Sequence, residues 1–112
     1  MTQSDLTTKT CAPCEGGTQP LDQDQTAELL PQISGWTLTP EGAIERRYRF
    51  DNYYQTMAFV NALAFIAHTE DHHPDLAVSY DSCTVSYITH AIGGLSENDF
   101  ICAAKVNRLL GP

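Results

Sequence analysis

The chain has 112 residues, 42% of them apolar and 18% charged, with a formal net charge of −8. These values describe one globular domain with a modest core and exclude a disordered chain. The acidic balance excludes a broad basic surface for nucleic acid or anionic membrane.

No run approaches the roughly 18 consecutive apolar residues of a membrane-spanning helix. Met1 to Thr10 lacks the apolar core of a secretory signal, so a cytoplasmic location is expected. Residues 1–20 read as a flexible tail ending at Pro20, and residues 21–112 as the folded domain. Within the tail, Cys11-Ala12-Pro13-Cys14 has the spacing of a zinc half-site or a redox pair. No second half-site accompanies it, and Glu15-Gly16-Gly17 reads as loose chain. The four cysteines, Cys11, Cys14, Cys83 and Cys102, are expected to be reduced in a cytosolic setting.

Asp22 is placed to cap a first helix running through Thr26 and Leu30 to Pro31. Trp36-Thr37-Leu38 reads as a short strand, followed by a turn at Pro40-Glu41-Gly42. Ile44, Arg46, Tyr48 and Phe50 alternate with Glu45, Arg47 and Arg49, the pattern of a second strand forming a hairpin with the first. The three arginines leave a local positive stripe possible. Asp51 or Asn52 can cap a second helix, which must stop near His72 because Pro74 disfavours helical geometry at His73. Met57, Phe59, Val60, Leu63, Phe65 and Ile66 spread around most of that helix, which predicts burial on more than one side and hence homo-oligomerisation.

Leu76, Val78 and Tyr80, then Cys83, Val85 and Tyr87, form the apolar faces of two further strands linked at Asp81-Ser82. The predicted register sets Tyr80 against Cys83, Val78 against Val85 and Leu76 against Tyr87, all facing the core. Extended backwards, it sets His73 against His90, about 5 Å apart at Cβ. Ser96 is a good N-cap for a last helix reaching about Leu110. Asp99 sits at its third position as a capping acid, and Leu95 and Phe100 are spaced as a hydrophobic staple. The element order α-β-β-α-β-β-α predicts an α+β fold with a four-stranded antiparallel sheet and three helices.

All four histidines lie between His68 and His90. Imidazole both donates and accepts protons near neutral pH. His68 and His72 are spaced i, i+4, as paired zinc ligands are, and His90 could add a third. Thr69 stands where a zincin carries glutamate, so no metal is expected. Acid–base chemistry fits better. The helix dipole at His72, with Glu70, Asp71 and Asp75 nearby, favours its imidazolium form. No serine or cysteine nucleophile signature and no glycine-rich phosphate loop accompanies the histidines. Proton transfer without a covalent intermediate is expected: an elimination, a hydration or an isomerisation.

The spaced set His68, His72-His73-Pro74, Tyr80, His90 and Asp99 resembles the signature of the pterin-4a-carbinolamine dehydratases. The likeness takes in Gly35-Trp36, Ala58-Phe59-Val60-Asn61, Thr89-His90-Ala91 and Gly94 to Phe100, and so covers about residues 21–110. Cys11 to Gly17 looks like the N-terminal extension of bacterial members. The resemblance implies dehydration of a 4a-hydroxy-tetrahydropterin to the quinonoid dihydropterin, in the recycling of tetrahydropterin after aromatic amino acid hydroxylases. It implies dimers or tetramers, no cofactor beyond the pterin substrate, and catalytic His72, His73 and His90. His72 and His90 are expected to move protons, and His73 to bind and polarise the pterin. Asp99, Trp36 and His68 are implied at the substrate. His68 and Asn98 depart from the acidic residue and the arginine of animal members. A binding role remains an alternative, since relatives include a dimerisation cofactor of a homeodomain transcription factor and assembly factors for Rubisco.

Overall fold

The computed structural model describes residues 5–13 and 18–111. Asp22 caps α1 (Gln23–Leu29) through a reciprocal pair of bonds with Gln25. The chain tightens into a 3-10 turn over Leu30–Gln32 at Pro31, then forms β1 (Thr37–Leu38) and β2 (Ile44–Arg49). Between the 3-10 turn and β1, Gly35 has φ +86°, and a Cβ there would lie 2.7 Å from the Arg46 guanidinium. Only glycine serves at that close approach.

Asn52 caps α2 (Tyr53–Glu70) by accepting from the Gln55 N–H. Next come β3 (Asp75–Val78), β4 (Ser82–Tyr87) and α3 (Glu97–Arg108). The sheet order is β1-β2-β4-β3, antiparallel throughout. The fold is thus α+β with three helices and a four-stranded antiparallel sheet, as the sequence predicts.

One sheet face is apolar. Ile44, Tyr48, Cys83, Val85 and Tyr87 are almost fully buried, together with Phe59 and Leu63 of α2 and Phe100, Ile101, Cys102 and Val106 of α3. The alternate residues Glu45, Arg47, Thr84 and Ser86 take the other face, the usual division of a sheet covered on one side. Arg46 leaves the stripe it was read into: its guanidinium lies 4.5 Å from the Tyr48 ring centroid and donates to Ser34 O and Asn107 Oδ1.

Two expectations are corrected. The β3–β4 register is offset by two residues: Val78 pairs with Cys83 and Leu76 with Val85. The cause is a wider link. The Tyr80 carbonyl accepts from Thr56 Oγ1 of α2, the Asp81 carbonyl accepts from the Phe50 N–H, and Ser79 N–H closes on the Ser82 carbonyl. Tyr80 is thereby held in the turn. An even offset preserves which face each residue takes, but β3 is an edge strand, and Leu76, Val78 and Tyr80 are exposed there rather than in the core.

Residues 5–13, read as tail, lie against the domain. Leu6, in a single 3-10 turn over Leu6–Thr8, is buried in the core. Lys9 pairs with Glu97 at 2.7 Å, and Arg108 donates to Thr7 Oγ1. A single buried leucine among polar residues has no periodicity to reveal it. Cys14 and Glu15 to Gly17 lie outside the described residues.

Candidate active site

The site begins where α2 ends. Asp71 adopts a left-handed conformation (φ 52°) as the C-cap, and the His72 N–H returns to the Ala67 carbonyl. Helix α2 therefore stops at Glu70, and His72 lies beyond it, off the i, i+4 face it was expected to share with His68. His68 is exposed and does not line the cavity described below.

The His72 ring stacks on Tyr87 of β4, with centroids 5.6 Å apart and planes 10° from parallel. Its Nε2 lies 2.6 Å from Asp99 Oδ1. Asp99 is fully buried, at the start of α3. Its Oδ2 accepts from the Ser96 N–H at 3.0 Å, as a capping acid should, and from Thr89 Oγ1 at 2.8 Å. Thr89 Oγ1 also lies 2.7 Å from Ser96 Oγ. Both carboxylate oxygens are thus engaged by the protein, so Asp99 orients His72 and does not face a ligand. The Asp99 hydrogen bond, aided by its charge, holds the His72 pKa above the ordinary imidazole value despite burial.

His72, His73 and His90 line one cavity of about 340 Å³, together with Asp71, Ile88, Thr89, Ala91, Asn98 and Ala12 and Pro13 of the N-terminal strap, residues 5–13. Its volume falls at the lower end of small-molecule sites, about 300–1,000 Å³. The offset register would align His73 with Ile88, not His90. The two histidines nevertheless reach the same cavity, because β4 gives way to a 3-10 turn at His90–Ile92, anchored by the Thr89–Gly94 bridge. A larger cavity of about 540 Å³ beside Asp5, Ser34, Arg46 and Arg108 contains no histidine.

Trp36 stands elsewhere. It is buried against Tyr48 and Tyr87, and its Nε1 donates to Asn107 Oδ1 at 3.0 Å. Trp36 and His72 both pack on Tyr87. Sequence reasoning missed Thr89 as a partner of Asp99, Tyr87 as the stacking surface and the strap as a wall. It gave Asn98 no role. Here Asn98 is buried and pairs with Ala12 twice, accepting from its N–H at 3.0 Å and donating to its carbonyl at 2.6 Å.

The sequence profile described as "Pterin 4 alpha carbinolamine dehydratase" matches residues 19–109. A protein of Nitrosomonas europaea named "Putative pterin-4-alpha-carbinolamine dehydratase" is 60% identical over 106 residues, covering 94% of this chain and 93% of that protein. A protein of Xanthomonas campestris pv. campestris with the same name is 61% identical over 100 residues, covering 88% and 85%. Among solved structures, a transcriptional coactivator/pterin dehydratase from Brucella melitensis superposes with a TM-score of 0.80 at 29% identity, covering 83% of this chain and all of that one. A pterin dehydratase-like protein identified as a RuBisCO assembly factor in the alpha-carboxysome superposes at 0.61 with 25% identity, covering 69% and 90%.

Proposed function

The chain belongs to the pterin 4 alpha carbinolamine dehydratase family, and on that premise we propose that it is a hydro-lyase that removes water from a 4a-hydroxy-tetrahydropterin. The observation that carries the reading is the His72–Asp99 pair at the wall of a cavity that also holds His73 and His90. The reaction needs one proton delivered to the C4a hydroxyl and one removed from N5. The C4a–O bond breaks, water leaves, and the quinonoid dihydropterin remains. His72, kept protonated to higher pH by Asp99, suits the acid that protonates the leaving hydroxyl. His90 is then the base at N5, and His73 binds and polarises the pterin. No cofactor is needed, because the pterin is itself the substrate.

The chain is proposed to act in the cytoplasm, in tetrahydropterin recycling alongside an aromatic amino acid hydroxylase. No helix among the described residues is long and apolar enough to cross a membrane. Assembly as a homodimer or homotetramer is supported by apolar surface on α2 and β3: Tyr54 and Phe65 are 82% and 70% exposed, and Leu76 and Val78 also face solvent.

The test is dehydration of freshly generated 4a-hydroxy-tetrahydropterin, followed by the appearance of quinonoid product, with His72→Gln as control. Acceleration by the wild type and its loss in the variant are expected. If the wild type adds nothing to the spontaneous rate, the binding-protein reading takes its place, in line with the named role of the carboxysome relative.

A further inference from the structure

The strap carries a thiol into the domain. Cys11 Sγ lies 3.5 Å from Cys102 Sγ, and the two positions are 91 residues apart in sequence. Cys102 is fully buried on α3, one turn beyond Asp99, while Cys11 is half-buried and has access from solvent. The strap is set at that spot by independent bonds. The Cys11 N–H donates to Glu70 Oε1 at 2.8 Å, and Glu70 Oε2 is held by Lys105 Nζ at 2.9 Å. Next along the chain, Ala12 makes its two bonds to Asn98. The thiols are therefore held in register by four other residues and do not meet by chance rotation.

We propose that Cys11 and Cys102 form a reversible thiol–disulfide site that locks the strap against the candidate active site, with a small-molecule disulfide of the glutathione class as oxidant. A disulfide bond is about 2.05 Å long, so an approach of roughly 1.5 Å joins the two sulfurs. The more accessible member reacts first. The Cys11 thiolate attacks glutathione disulfide, forms a mixed disulfide and releases one glutathione. Cys102 then attacks the Cys11 sulfur and expels the second. Two protein thiols are oxidised, one glutathione disulfide is reduced, and both thiol protons end on the two glutathiones.

Access, not acidity, sets this order: the hydrogen bond with Cys102, burial and the Glu70 carboxylate raise the Cys11 pKa, so its attack on glutathione disulfide is the slow step. The Cys11 hydrogen bond that most lowers the Cys102 pKa is lost in the mixed disulfide, and the nearby His72 charge and the Tyr87 hydrogen bond remain to favour the Cys102 thiolate against burial and the Glu70 carboxylate. A resolving thiol benefits from a larger thiolate fraction. Once joined, Ala12 and Pro13 are fixed as cavity wall, whatever the cavity binds.

Cys14 offers the competing partner, at CxxC spacing from Cys11. The full-length protein and its Cys14→Ser variant are equilibrated with glutathione redox buffers. Free thiols are then alkylated, and the bonded cysteines are located by mass spectrometry. Both proteins should lose two alkylatable thiols and yield linked fragments carrying Cys11 and Cys102, reversed by dithiothreitol. In the Cys14→Ser background, Cys11→Ser or Cys102→Ser should each abolish the link. Backbone amides of residues 9–12 should exchange hydrogen more slowly in the oxidised form. A Cys11–Cys14 bond in the wild type, glutathione adducts without the internal link, or unchanged exchange across the strap would each overturn the proposal. None of these readouts depends on dehydratase activity.

Discussion

Asp99 holds His72 with one carboxylate oxygen at 2.6 Å and has its other oxygen closed by Thr89 and the Ser96 N–H. One buried acid thus both caps α3 and fixes the ring that faces the cavity. The two roles join the last helix to the turn after α2, and they tie the pKa of His72 to the packing of α3.

Asp99→Asn tests that tie. The amide keeps the shape but removes the charge and the strong acceptor that raise the His72 pKa. A general acid loses activity as pH rises through its pKa. The wild-type falling limb should therefore lie above the ordinary imidazole value of about 6.5, and the limb of the variant should move to lower pH. Turnover near pH 7 should fall by roughly 10²-fold or more. A rate profile from pH 5.5 to 9 reads both effects. An unmoved limb would show that His72 is not the titrating acid.

The same shift acts on stability, and its sign is fixed. A histidine whose pKa is raised on folding stabilises the fold fully below its unfolded pKa, and that contribution is lost as pH rises through the folded value. Thermal melts should show the His72–Asp99 contribution at pH 6 and its decline above the ordinary histidine range. His72→Gln should flatten that part of the curve.

The fold was legible in the sequence because local signals agreed. Asp22, Asp51 or Asn52, and Ser96 with Asp99 mark the three helix starts, and the structure has its caps at Asp22, Asn52 and Ser96. The register of β3 was not legible, because it is decided by long-range bonds from Thr56 and Phe50 to the turn carbonyls. The histidine cluster was visible in its spacing, yet its geometry was not. His72 turns toward Asp99 only because Asp71 takes a left-handed conformation, which an Asp-His-His run does not specify. Trp36 and His68 were placed at the substrate by resemblance alone, and neither lines the cavity: Trp36 is packed in the core and His68 is exposed on α2.

Trp36→Phe separates those two readings of Trp36. The ring contacts to Tyr48 and Tyr87 are largely kept, but Asn107 loses one of the donors converging on its Oδ1, which also include Arg46 and Tyr48. The expected cost is about 1 kcal/mol of stability, read as a lower melting temperature. KM for the pterin should not change. A KM raised severalfold with unchanged melting would return Trp36 to the substrate site.

Leu6→Ala measures how firmly the strap belongs to the domain. Leu6 is 3% exposed within the core cluster, and truncating a buried leucine costs about 2–5 kcal/mol. Deleting residues 1–13 should lower the melting temperature at least as much, since the Lys9–Glu97 and Ala12–Asn98 contacts go with it. Denaturant unfolding of both variants checks this. Wild-type stability in either would mean the strap rests on the domain without contributing to it.

A double-mutant cycle on His72 and His90 tests whether the cavity histidines serve one reaction. General acid and base groups each contribute about 10²–10⁴-fold, so His72→Ala and His90→Ala should each lower kcat by that order. The two differ in structural cost. His90 is exposed at the head of a 3-10 turn, and its removal should leave the melting temperature unchanged. His72 leaves a buried carboxylate without its partner, so its alanine variant should melt lower, and His72→Gln, which can still donate to Asp99, should recover stability without recovering rate. If both groups act in one proton-transfer event, losing the second after the first costs little more, and the double variant should retain far more activity than the product of the single losses predicts. Full multiplicativity would assign the two histidines to separate steps. Near-normal rates in both single variants would remove the acid–base mechanism and leave the cavity as a binding site.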